Sequence, residues 1–249
     1  MNFSIKKLYD RFIRQIKPPP PAPLHSAHST NAPSTTSLPL SMRDTLFGDA
    51  PPEQWPPPNT ASSELSPWNI FVKAREHLGA NRPADAIALW QHVLTLPNLE
   101  SRHCLQAWHF LRQHGQSPAP ENAKTLLGVV MEVPMPNGLD LLAAYADHTA
   151  RYYNFSSAAV IWEHPDDSID SQMDALFARS REVVTRIGPW DKPRLGPPAG
   201  DMIRLNFLTP TGLHFGQGSL QAIAQDPMSG PVFLAGAHLM QALIAKTKK

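Results

Sequence analysis

Between Thr125 and Glu163, short apolar runs are broken at regular intervals by residues that favour turns. Leu127, Val129, Met131 and Val133 recur at every second position, the period of a strand whose side chains alternate between two faces. Pro134, Pro136, Asn137 and Gly138 end that run. Leu139 to Ala146 predict a second strand, Asp147-His148 a turn, Ala150 to Asn154 a third strand, and Ser156-Ser157 a further turn before Ala158 to Trp162. Apolar runs joined by such residues are a hairpin signal, so the stretch predicts a meander of four antiparallel strands.

After the meander the period lengthens. Ile169, Met173, Leu176, Phe177, Val184 and Ile187 recur at helical spacing up to Gly188. Asp166, Asp167 and Ser168 stand where a helix N-terminus favours acids and a cap. A Pro/Gly loop runs from Gly188 to Gly200, Met202 to Leu208 read as a strand, and Thr209 to Gly212 turn it into a second strand over Leu213 to Gly216. Gly230 to Ala245 is almost wholly apolar but too short to cross a bilayer, which takes about 20 residues. Its small residues Ala235, Gly236, Ala237, Ala242 and Ala245 predict a buried helix lying close on the sheet. Strands, helix, hairpin and helix in this order predict an α+β domain over residues 120–249, an antiparallel sheet with helices packed on one face.

Residues 68–116 carry helical periods only. Trp68, Ile70, Phe71, Ala74 and Leu78 mark one helix, ended near Gly79. Pro83 opens a second at a position that tolerates proline, with Ala86, Ile87, Leu89, Trp90, Val93 and Leu94 on its apolar face. Leu105, Ala107, Trp108 and Leu111 mark a third, closed by Gly115. Ala74, Leu78, Ala86-Ile87, Trp90, Leu94 and Pro97 resemble a single tetratricopeptide-repeat unit over residues 68–97. That resemblance implies a helical hairpin with a peptide-binding face. No second copy follows at the same period, and such units need about three or more to form a stack.

Upstream, residues 18–67 hold a large share of the 27 prolines of this 249-residue chain. Pro-rich chain is extended and semi-rigid, and its composition predicts a disordered linker in which Leu46-Phe47 and Trp55 stand out as docking anchors. Residues 1–17 form the sharpest local pattern. Phe3, Ile5, Leu8, Tyr9, Phe12, Ile13 and Ile16 recur at three- and four-residue spacing and give one apolar stripe, and Lys6, Lys7, Arg11, Arg14 and Lys17 lie around it, opposed only by Asp10. Pro18 ends the helix. A basic amphipathic helix can lie in an anionic membrane interface, dock in a partner's groove, or fold back on its own body.

Composition narrows the function classes. The formal charge is +1 and the charged fraction 17%, so no general affinity for nucleic acid is expected. Cys104 is the single cysteine, which excludes an intramolecular disulfide and a cysteine-based zinc cluster and suits a reducing compartment. Gly212, Gly216 and Gly218 match no phosphate-binding motif. His103, His109 and His114 share one helix without an i, i+4 pair, so neither a metal site nor a cofactor is expected. Arg151 and Tyr153 on the third predicted strand are read as an exposed interface, since both residue types are enriched at interfaces. The preferred expectation is a non-enzymatic adaptor with a protein partner, tethered through its N-terminal helix and located in the cytoplasm or on the inner face of the membrane. The alternative is an enzyme, such as a hydrolase, with His148 or His164 and a nearby acid between the helical segment and the sheet. An immunity or regulatory protein that binds a toxin is compatible with the first.

Overall fold

Strand β1 (Gly128–Met135) runs through the middle of the sheet, paired with β2 (Gly138–Tyr145) on one side and with β5 (Met202–Thr209) on the other. Outside β2 lie β3 (Ala150–Tyr153) and β4 (Ala159–Trp162), and outside β5 lies β6 (Gly212–Ser219). The order is β4-β3-β2-β1-β5-β6 and every pair is antiparallel. This computed structural model describes residues 42–136 and 138–247. The expected basic helix, with Phe3, Ile5, Lys6, Lys7, Leu8, Arg11, Phe12, Arg14, Ile16 and Lys17, lies outside the described residues.

The helices are α1 (Ala61–Glu64), α2 (Trp68–Gly79), α3 (Pro83–Val93), α4 (Ser101–Gln113), α5 (Asp170–Arg186), α6 (Leu220–Gln225) and α7 (Ser229–Lys246). The fold is α+β, and the predicted meander, hairpin and two long helices after residue 120 all form. Helix α6 had no signal in the periodicity. At the start of α5 the N-cap position is Ile169, with no side-chain capping bond. Ser168 instead bonds Asp166 through its backbone N–H at 2.9 Å and through its hydroxyl.

One sheet face carries Val129, Met131, Val133, Leu142, Ala144, Tyr152, Ile203, Leu205 and Phe207, and α5 and α7 cover it with Met173, Leu176, Phe177, Leu239, Met240 and Leu243. Gly236 of α7 sits so close to the sheet that an added Cβ would lie 3.1 Å from Met131 Cε. The expected role of small residues in that helix is thus realised.

The other face is covered too. Val130, Leu139, Leu141, Ala143, Tyr145, Tyr153 and Leu208 pack against Leu46, Phe47 and α4's Leu105. This second layer adds to the helices packed on the first face.

Residues 42–67, expected as the distal part of a disordered linker, are integral to the body. Leu46, Phe47 and Trp55 are buried. The Tyr145 hydroxyl donates to Leu46 O at 2.8 Å, and Gln106 both accepts from Ala50 N (3.1 Å) and donates to Ala50 O (2.8 Å). Gly48 adopts φ 64° over α4, where a Cβ would lie 2.4 Å from Leu105 Cβ. Trp55 meets Phe71 and Phe110 edge-on, with ring centroids 5.3 and 4.9 Å apart, inside a core shared with Trp90, Val93 and Leu111. Arg75 of α2 donates to Pro52 O, Trp55 O and Pro56 O. The segment is therefore a strap that joins the three-helix unit to the sheet. Proline suits it because the extended chain has few neighbours to satisfy an N–H donor.

The strap begins on an ion network. Glu132, on β1, points into the second face and is 0% exposed. Its carboxylate accepts from Arg43 Nε (2.5 Å), Arg204 Nη1 (3.2 Å) and Asn206 Nδ2 (3.0 Å). Arg43 also donates to Leu195 O and Arg204 to Gly196 O, each at 2.8 Å, which draws the 188–200 loop over the strap. Arg194 of that loop stacks over Phe47 at 4.2 Å and pairs with Asp49 at 2.8 Å. Desolvating such charges costs several kcal/mol per ion before the pairing is counted, so the network serves to fix position more than to add stability.

Candidate functional site

The β2–β3 turn, residues 146–149, brings sheet and helices together. Asp147 Oδ1 accepts from Thr149 N (3.0 Å) and Thr149 Oγ1 (2.8 Å), while Oδ2 accepts from Ser101 N at 2.7 Å, in the first turn of α4. Burial pushes this carboxyl up, but the hydrogen bonds from Ser101 and Thr149 outweigh it and hold the pKa below the ordinary value. The turn is thereby pinned to a helix N-terminus.

His148 follows with φ 61°, and His164, just beyond β4, has φ 53°. The left-handed region costs an L-residue on the order of 1 kcal/mol, though histidine enters it more often than most. These two backbones turn both imidazoles towards the first turn of α5. His148 Nδ1 lies 3.3 Å from Asp170 Oδ2, and its Nε2 lies 3.1 Å from Asp174 Oδ1. His164 Nε2 lies 3.1 and 3.2 Å from the two Asp170 oxygens. The ring centroids are 5.3 Å apart. One donor atom from each of His148, His164 and Asp170 falls in a group spanning at most 4.8 Å. The helical period places Asp174 one turn after Asp170 on the same face.

The cluster sits on the rim of the sheet, with the His148 and His164 side chains 30% and 37% exposed. Neither histidine is among the residues that line three hollows of the body. A groove of about 680 Å³ runs between α5 and the α6–α7 corner, past Arg179, Asp226 and His238. A hollow of about 310 Å³ lies between the strap and α4, beside Trp68, Arg102 and His103. A third, of about 210 Å³, lies between α4 and the β5–β6 turn, lined by His109, Arg112 and Arg194. The expected acid beside His148 and His164 is present as Asp170, on the rim of the sheet.

Other expected site residues fall elsewhere. Arg151 and Tyr153, expected on an exposed interface, are only 4% and 3% exposed. Arg151 donates to Ala150 O, Trp162 O and Glu163 Oε1, and Tyr153 packs in the core beneath the strap. They are buried because the second face has its own covering layer. On β4 it is Ile161 that stands out, at 58% exposed. Cys104 is half-buried and its thiol is pushed up to about 11 by desolvation, which agrees with an inert thiol.

Sequence spacing did not reveal the histidine–aspartate cluster because its members come from two different turns and a helix. A histidine at a hairpin position that favours glycine or asparagine is the one signal that could have found it. No protein-family model matches the chain, and no curated protein or solved structure matches it either.

Proposed function

We propose that this chain is a non-enzymatic interaction protein, with the body binding a protein partner and residues 1–17 holding it at an anionic membrane surface on the cytoplasmic side. One observation carries the reading: the buried Arg43–Glu132–Arg204 network ties Arg43, at the N-terminal end of the described residues, to the middle strand of the sheet. Through that network, attachment of the chain N-terminal to Arg43 is transmitted to the sheet. The arm's stripe of Phe3, Leu8, Phe12 and Ile16 with Lys6, Lys7, Arg11, Arg14 and Lys17 suits interfacial binding, where apolar burial and attraction to anionic lipid add together.

The test is co-sedimentation with vesicles of phosphatidylserine and phosphatidylcholine. The full chain is expected to pellet with them, and the chain lacking residues 1–17 to remain in the supernatant. Equal sedimentation of the two overturns the membrane role.

The convergence of His148 and His164 on Asp170 favours a second reading, an enzyme using an imidazole as general base. Turnover of activated esters or phosphoesters that His164→Asn abolishes would establish it. Equal rates for the two proteins would remove it.

A further inference from the structure

The polarity of the His148–His164–Asp170 cluster leaves room for one cation at its centre. Asp174 is an acceptor, so the 3.1 Å contact from His148 Nε2 requires the ring hydrogen to be on that nitrogen. His148 Nδ1 then turns a lone pair towards the Asp170 carboxylate at 3.3 Å. The second imidazole, that of His164, faces the same carboxylate from 3.1 Å. Two ring nitrogens and a carboxylate thus converge on one point.

We propose that His148 Nδ1, His164 Nε2 and the Asp170 carboxylate bind a single divalent cation of the zinc class. Bond lengths of about 2.0–2.1 Å to nitrogen and oxygen place tetrahedral donor atoms roughly 3.3 Å apart, and the His–Asp separations are 3.1 and 3.3 Å. Imidazole donors select a transition-type ion over calcium or magnesium. Asp174 completes the arrangement as the carboxylate that accepts the hydrogen of a ligating histidine, fixing its tautomer and orientation. It is a positioning residue for His148, one helical turn after the ligand Asp170. The ion ties the β2–β3 turn, the chain after β4 and the first turn of α5 to one point. Because both rings are partly exposed, its remaining coordination positions open to water.

The test uses the full chain at pH 8, stripped with chelator and titrated with zinc chloride by calorimetry, with thermal melts alongside. Wild type is expected to bind one equivalent and to melt higher with zinc than without. His148→Asn/His164→Asn, chosen because asparagine keeps the left-handed backbone, is expected to lose that equivalent and the zinc-dependent shift while its metal-free melt stays cooperative. Asp174→Asn is expected to bind about 10–100-fold more weakly. Absence of saturable binding by wild type overturns the proposal, as does an equivalent that survives in the folded double variant. Should the double variant not fold, the ring ¹⁵N resonances of wild type decide. Zinc-induced shifts at His148 and His164 support the site, and shifts confined to other histidines overturn it.

Discussion

Arg43 Nε lies 2.5 Å from the carboxylate of Glu132, a residue 89 positions further along the sequence. This contact joins the start of the strap to the middle strand of the sheet, and both partners are buried. Removing one member of a buried pair strands the other charge and costs about 3–5 kcal/mol. Arg204 and Asn206 remain on Glu132, so Arg43→Met is expected near the lower end, about 3 kcal/mol, by urea denaturation. Adding Glu132→Gln should restore part of the loss, with a coupling energy of about 0.5–3 kcal/mol in the double-mutant cycle. Additive effects would show that the two residues do not act together.

Gly48 takes a left-handed backbone directly over α4. Gly48→Ala is expected to cost about 2–5 kcal/mol, from the conformational penalty together with overpacking against Leu105. Gly188, where an added Cβ meets nothing within 4 Å, is the control. Gly188→Ala should stay within about 0.5 kcal/mol of wild type. Equal denaturation midpoints for the two variants would contradict the packing at Gly48.

Trp55 fills the core of the three-helix unit from the strap. Trp55→Ala is expected to cost about 3–5 kcal/mol and to make residues 56–67 the preferred site of limited proteolysis. A variant with wild-type stability and no new cleavage would show that the strap does not hold this unit.

Asp140 is a buried carboxyl that accepts from Phe155 N (2.8 Å) and the Tyr152 hydroxyl (3.0 Å). Desolvation outweighs those bonds and pushes its pKa up to about 6 from 3.8. The native state therefore holds a proton that the unfolded chain releases, and its contribution to stability falls as pH rises from about 4 through 6. At 1.36 kcal/mol per unit, the difference between about 6 and 3.8 corresponds to about 3 kcal/mol. Asp140→Asn should flatten stability over that window and be favoured relative to wild type at pH 8. Parallel pH profiles for the two proteins would refute the assignment.

The sheet was readable because its cues are local. Two-residue alternation and residues such as Asn154 and Gly212 mark strands and turns without reference to the rest of the chain. The last helix announced itself by Gly230 to Ala245 being nearly all apolar. The strap did not, because Leu46, Phe47 and Trp55 sit among prolines, and the surfaces that bury them are supplied by Tyr145, Leu208, Phe71 and Phe110. For the same reason Arg151 and Tyr153 looked like an outward face, since nothing near them in sequence announces the layer above. The cluster of His148, His164 and Asp170 depends on where three segments end in space, a relation that spacing rules for single helices do not encode.

Glu132 has one further consequence, for the order of events at the ribosome. Translation delivers Arg43 well before Arg204 and Asn206, which bond the same Glu132 carboxylate from β5. Until that strand has been made, the Glu132 carboxylate lacks two of its three side-chain donors, so the strap meets its completed network only when synthesis is nearly over.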